Sequence, residues 1–309
     1  NNNLIDHTVM NALNLNYQVI IFQQARHRAE LMARSIASKI PMIERNRYLE
    51  VMERLKEYEA LRSEVRDLEK LIMHGVAYHH AGLSHGARLA IEHSFRKGLI
   101  RFVVATPTLA AGINMPARRV VIYTRRFEGG YMKPITIAEY KQMAGRAGRP
   151  QYDVIGEAII ADVRDEGEGW RYIKGKPEPV KSALINERAL RIHTLSLIAS
   201  GYVESIDELK SVLRRTLAYK NLLESKGVDM TNYVIKNVLP QLIEMDMVKV
   251  DRRYLHPTKL GLTVSRLYVD PLTAIVILDE LEKVNRPIPL YYLTLIAMTP
   301  DFTLSLIHI

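Results

Sequence analysis

The chain has 309 residues, 48% apolar and 25% charged, with a formal net charge of +9 and no cysteine. That length allows two or three domains with cores of their own, and the missing cysteines exclude disulfides and thiolate metal sites and suit a reducing cytoplasm. Apolar runs such as TAIVIL at 273–278 are too short to span a bilayer, and no charged segment followed by an apolar one opens the chain as a signal peptide.

In chain order, YQVIIF (17–22) reads as a strand buried on both faces, and ARHRAELMARSIASKI as a helix closed by Pro41. From Ile43 to Ile72 apolar residues recur every three or four positions, which predicts one or two amphipathic helices with charges outward. GVAYHHAGL reads as a strand entering a turn, and HGARLAIEHSFRKG as a helix ended by Gly98. IRFVVAT, RRVVIYT and GEAIIA supply three more strands. This alternation predicts an α/β fold, a parallel sheet with helices on both faces, over residues 1–165. Between the last two of these strands, TRRFEGGYMKPITI (124–137) reads as a hairpin turning at Gly129 and Gly130. Phe127 and Tyr131 bracket its tip, and Arg125, Arg126 and Lys133 stand beside them.

DEGEGWRYIKGKPEPVK is rich in glycine, proline and charge, so 166–181 is expected to be a linker. The style then becomes helical. Ser205 and Glu208 predict a capping-box start, Thr231–Met245 a helix, and MVKVD with RYLHPT a tight hairpin turning at Arg252 and Arg253. Helices followed by a two-stranded wing predict a winged-helix domain over 182–266. A further helical segment is expected over 267–309.

The charge is unevenly spread. Residues 94–150 hold eleven Lys or Arg against Glu128 and Glu139, an excess equal to that of the whole chain. Such a segment is expected to face nucleic acid or nucleotide phosphate. Within it, ATPTLAAGINMP leaves a buried strand for a loop of small and hydroxyl residues, where open α/β sheets bind ligands. Some thirty residues later, QMAGRAGRP puts Arg146 and Arg149 three apart, each after a glycine, and a guanidinium fork suits phosphate oxygens. Five of the ten histidines fall between His74 and His93, but without cysteine or suitably spaced acids they predict no metal site.

Together ATPTLAAGINMPARRVVI and EYKQMAGRAGRPQYDVIGEAII resemble motifs V and VI of superfamily 2 helicases. Their wording is similar to that of the Ski-two-like branch, most closely the archaeal Hel/Hjm family of DNA helicases. HHAGL (79–83) resembles that branch's motif IVa and VIIFQQARHRAE (19–30) its motif IV, and the resemblance runs through the winged-helix region.

The resemblance implies a RecA-like domain whose Arg146 and Arg149 reach the γ-phosphate of ATP, with Gln142 in the same cleft. Gly112 and Asn114 would touch the nucleotide. Thr106, Thr108, His80 and Gly82 would lie along the nucleic-acid backbone. The 124–137 hairpin would be the strand-separating wedge, its aromatics stacking on the last base pair and its bases on phosphates. It implies an ATP-dependent, 3′ to 5′, monomeric, cytoplasmic DNA helicase acting on single-stranded 3′ tails and duplex forks in replication-fork repair and recombination.

Neither G-x-x-x-x-G-K-[ST] nor a DExH carboxylate pair is present. The chain is therefore expected to be a C-terminal part of a larger helicase, inactive alone, with ATP and Mg2+ held mainly by the first RecA-like domain it lacks, and cut within a ratchet-type helical domain. An RNA helicase of the same branch stays open, because backbone contacts see both polymers. A winged-helix regulator with an accessory α/β domain is the rival class, though it has no use for two arginines aimed at a phosphate. The winged helix either touches DNA through Arg252, Arg253 or Lys236, or braces the ring of domains.

Overall fold

A computed structural model describes residues 2–110, 115–149, 153–283 and 288–302. The chain forms two compact units that divide after Glu178.

The first unit runs α1 (Asn2–Asn14), β1 (Val19–Phe22), α2 (Arg26–Ala37), α3 (Arg45–Glu57), α4 (Arg62–Ile72), β2 (Val76–His79), α5 (His85–Arg96), β3 (Phe102–Ala105) and β4 (Arg119–Ile122). It continues with β5 (Arg125–Glu128), β6 (Tyr131–Pro134), α6 (Ile137–Ala144), β7 (Glu157–Ile160) and α7 (Glu166–Lys174). The expected parallel sheet is present, in the order β2-β3-β1-β4-β7 and flanked by helices. VIIF, VAYH and FVVA are buried along their whole length, which is why their apolar runs do not alternate. The edge strand β7 is only partly covered.

Helix ends follow local chemistry. Ser84 caps α5 through Ala87 N, and Gly98 leaves it at φ +74°, where a side chain would be strained. Gly86 has a different reason. A Cβ there would lie 1.8 Å from the Tyr58 carbonyl oxygen, so α5 starts hard against the end of α3.

Residues 166–174, expected to be linker, are helical. Asp165 caps α7 through Glu168 N, and Tyr172 is fully buried with its hydroxyl donating to Ile135 O at 3.0 Å. Gly167 and Gly169 hid this helix in the sequence; the buried tyrosine and the cap outweigh their cost of roughly 1 kcal/mol each.

The second unit comprises α8 (Glu187–Ala199), α9 (Ile206–Arg214), α10 (Leu217–Lys226), α11 (Met230–Tyr233), α12 (Leu239–Glu244), β8 (Val248–Asp251), β9 (Tyr254–Pro257), α13 (Lys259–Leu267), α14 (Pro271–Glu282) and α15 (Pro289–Ala297). The β8–β9 hairpin turns at Arg252, φ +56°, and Arg253, where the sequence puts it. Ser205 caps α9 as expected, but the Glu208 carboxylate accepts from Glu204 N rather than from the cap's own N–H. The helix expected over 231–245 is interrupted by a π-turn at Val234–Val238. Pro240 has no N–H to donate and crowds the carbonyl four residues back, and the wider turn relieves this. Inside this unit Arg191 reaches across from α8 to the fully buried Asp270, which also caps α14.

Gly86→Ala is expected to destabilise the first unit by about 1–3 kcal/mol, the usual cost of forcing atoms into a packed contact. The check is a lower denaturant midpoint at unchanged slope.

Candidate functional site

Strand direction sorts the predicted site residues into two groups. His80, Gly82, Thr106 and Thr108 follow the carboxyl ends of β2 and β3, and the β5–β6 hairpin leaves the carboxyl end of β4. The loop carrying Arg146 and Arg149 lies instead against the amino ends of β1 and β4. Ala147 pairs with Ala117, just before β4, and Arg149 reaches Gln18, just before β1. The site residues named from the sequence therefore lie at both ends of the sheet.

At the carboxyl ends, Thr106 N–H donates to His79 O at 3.1 Å, and the two threonine hydroxyls lie 2.9 Å apart. Thr106 is buried, so Thr108 is the hydroxyl that faces solvent. His80 is turned inward. It is 5% exposed, stacked on Tyr78 with centroids 5.2 Å apart, and bonded to Glu30 Oε1 at 3.2 Å. Gly82 N–H donates to its Nδ1, which leaves Nε2 to carry the proton toward Glu30. Burial, opposed by Glu30, lowers the His80 pKa below 6.5. Gly82 is exposed, and a Cβ there would press on the His80 ring at 3.1 Å. Gly112 and Asn114 lie outside the described residues.

The hairpin is rooted firmly and bare at its tip. Gly129 and Gly130 take φ of +63° and +87°, the turn that the paired glycines predict. At its base, Thr124 donates its N–H and hydroxyl to Asp162 Oδ1 at 2.6 and 2.8 Å, and Arg125 is clamped by Glu168 of α7 at 2.5 Å. Phe127 is 68% and Tyr131 60% exposed, on opposite faces of the ribbon because Phe127 pairs with Met132 and Glu128 with Tyr131. The bases expected to hold phosphates have partners of their own. Arg125 is half-buried on Glu168, Arg126 bridges Glu128 and Glu139, and Lys133 bonds Glu128.

The same holds for the basic segment generally. Of its eleven Lys and Arg residues, Arg118, Arg119, Arg125, Arg126, Lys133 and Arg149 form ion pairs, four of them with Asp153, Glu157 or Glu168 from beyond the segment. Counting along the chain missed acids that the fold brings back.

At the amino ends, α6 is capped by Thr136 and ends at Gly145, leaving Gln142 exposed in its last turn. Arg146 Nη2 donates to Ala110 O at 2.5 Å. Arg149 donates its backbone N–H and Nε to Asp153 Oδ2, both at 2.9 Å, and Nη2 to Oδ1 at 3.0 Å. Nη1 donates to Gln18 Oε1 at 3.0 Å. The Arg149 guanidinium holds the Asp153 carboxyl below the usual carboxylate range. Gly148 takes φ +89°, and a Cβ on Gly156 would stand 2.4 Å from the Ala147 carbonyl carbon. At least Gly148 is thus explained by backbone conformation and close packing within the unit, rather than by approach to a ligand.

The sequence reading missed Gln18 and Asp153. Asp153 lies four residues after Arg149, a spacing at which opposite charges pair in a helical turn; nothing local marks Gln18.

Residues 2–151 match the helicase conserved C-terminal domain family. The chain is also similar to ATP-dependent DNA helicases Hel308. It is 39% identical over 291 residues to that of Pyrococcus horikoshii, covering 91% of this chain and 40% of the relative. With that of Caldivirga maquilingensis it shares 38% over 311 residues, 96% of this chain and 41% of the relative. With that of Pyrococcus abyssi it shares 42% over 241 residues, 76% of this chain and 33% of the relative. The chain thus spans about two fifths or less of the length of these curated relatives.

A histidine whose pKa is depressed in the fold makes acid destabilising. The unfolded chain takes up a proton near pH 6.5 that the folded His80 refuses, so stability is full above that pH and falls below it. His93, whose pKa burial also lowers, acts in the same sense. Unfolding free energy measured from pH 7.5 to 5 should decline, and His80→Gln should flatten the decline.

Proposed function

Residues 2–151 match the helicase C-terminal domain family, and on that premise we propose that the chain is of Hel308 type and supplies the second RecA-like domain and winged helix of an ATP-dependent DNA helicase translocating 3′ to 5′ on forked or tailed duplexes. The observation that carries this reading is the separation of two sets of residues across one parallel sheet. A glycine-bounded loop carrying two arginines is pinned at the amino ends of β1 and β4, where the Arg149 guanidinium meets Gln18. Hydroxyls and a rooted aromatic hairpin lie at the carboxyl ends. One face then addresses a nucleotide and the other a polymer, as a motor requires.

ATP, held with Mg2+ mainly by the first RecA-like domain, supplies the phosphoryl group. Arg146 and Arg149 fit its γ-phosphate as planar donors tied to the protein by hydrogen bonds, and Gln142 stands on the exposed last turn of the preceding helix. Gly112 and Asn114 complete the nucleotide contacts. Thr108 donates to the nucleic-acid backbone, with Thr106 and His80 behind it as supports and Gly82 leaving room for the strand.

At the hairpin, Phe127 and Tyr131 stack on the parting bases. Stacking worth about 1–3 kcal/mol per base is comparable to the mean DNA stacking step of about 1.4 kcal/mol, so a wedge can compete with the duplex. Arg125 and Arg126 shape and root it rather than grip phosphate. An unwinding comparison on matched DNA and RNA duplexes tests the choice of polymer.

In the full-length enzyme, Arg146→Ala or Arg149→Ala should lower ATP turnover by about 10^3–10^5-fold, the scale of an arginine finger, with DNA binding retained. Equal loss of both activities would mean a structural role. Shortening residues 127–131 should cripple duplex unwinding while DNA-stimulated ATP hydrolysis survives. Unwinding at the normal rate would remove the hairpin from the mechanism.

A further inference from the structure

Arg149 is more firmly held than phosphate binding alone explains. Its guanidinium lies edge-on to the Asp153 carboxylate, and the main chain repeats the pairing in both directions. Arg149 N–H donates to Oδ2 at 2.9 Å, and Asp153 N–H donates to Arg149 O at 3.0 Å. The Asp153 side chain is only 7% exposed, so in this position it serves the arginine and not the solvent. On the other side Gln18 is equally constrained. Its Nε2 donates to Phe95 O at 2.6 Å and Ile100 O at 2.8 Å, which turns Oε1 toward Arg149. Gln18 is 8% exposed and immediately precedes the central strand, so the acceptor it offers is as fixed as the sheet.

A long flexible side chain with an acceptor on each side loses its rotamer freedom when the protein folds. It need not lose it again when a ligand arrives. Such pre-ordering favours a step that depends on geometry over one that depends on charge. The neighbouring carboxylate cancels part of the ground-state attraction for phosphate while leaving the fork aimed. We propose that Asp153 and Gln18 are positioning residues for ATP hydrolysis, holding Arg149 in the orientation from which it meets the γ-phosphate. This rests on the reading of Arg149 as an arginine finger.

The test is a mutant cycle in the full-length helicase. Asp153→Asn has the shape of aspartate but keeps one acceptor where the guanidinium uses two, and sets an NH2 against a group that has only donors. It should lower kcat on the order of 10- to 100-fold, the scale of a misplaced catalytic group, with little change in the KM for ATP or in DNA binding. Should Asp153→Asn fold poorly, Asp153→Ser, which keeps one small acceptor, serves for the same measurement. Combined with Arg149→Ala, Asp153→Asn should reduce turnover no further, and it should raise the thermal midpoint above that of Arg149→Ala alone by removing a buried carboxylate that has lost its guanidinium.

Normal kcat in Asp153→Asn beside a dead Arg149→Ala overturns the proposal while sparing the finger. A second, additive loss in the double variant, or parallel loss of DNA binding and midpoint in Asp153→Asn, assigns Asp153 to the fold instead. Normal turnover in Arg149→Ala sinks the finger reading and the proposal with it.

Discussion

The pairing of β1 with β3 on one side and β4 on the other, parallel and in register, is the constraint from which the first unit follows. A strand buried on both faces has its backbone polar groups taken up by its neighbours and its side chains by the core. It has nothing left for a ligand. Chemistry is pushed to the strand ends, and because every strand of this sheet runs the same way, the two ends are distinct. The loops after β2, β3 and β4 open at one end. The arginine loop is pinned at the other by the Ala117–Ala147 bridge and by Gln18.

Electrostatics in this unit depends on where the chain folds back more than on composition. The segment 94–150 is strongly basic along the sequence, yet Asp153, Glu157 and Glu168 return to it and neutralise Arg118, Arg119, Arg125 and Arg149. Pairs as exposed as Lys133 with Glu128 contribute little to stability. The more enclosed ones orient side chains. Arg125 on Glu168 ties the hairpin base to α7, and Arg149 on Asp153 fixes the loop after α6. A basic surface of this kind is shaped first and attractive second.

Helix α7 shows how support hides in a stretch that reads as a connection. Its Glu168 and Tyr172 hold the two ends of the segment carrying the hairpin, at Arg125 and at Ile135. An exposed aromatic tip can press on another molecule only if its base does not yield, and here the base is anchored by three side chains, Asp162 and the Glu168 and Tyr172 of α7.

The sequence by itself determined the elements whose signals are local. Apolar runs gave the buried strands, the three- and four-residue spacing gave α3 and α4, Gly129-Gly130 gave the hairpin turn, and GRAGR with the preceding strand-end loop gave the resemblance to helicases whose C-terminal domain family matches residues 2–151. Each depends on residues a few positions apart, within the reach of backbone sterics and helix or strand period. Tertiary structure alone decided the rest. It turned His80 inward onto Glu30, 50 residues away, and set Gln18 against Arg149, 131 residues away. It made α7 from a stretch weakened by two glycines and gave Gly148 and Gly156 their mutual contact. It also paired off the bases that looked ready for phosphate. Such contacts arise between segments that folding brings together, and the free energy of burying and pairing them has no counterpart in any local pattern of residues.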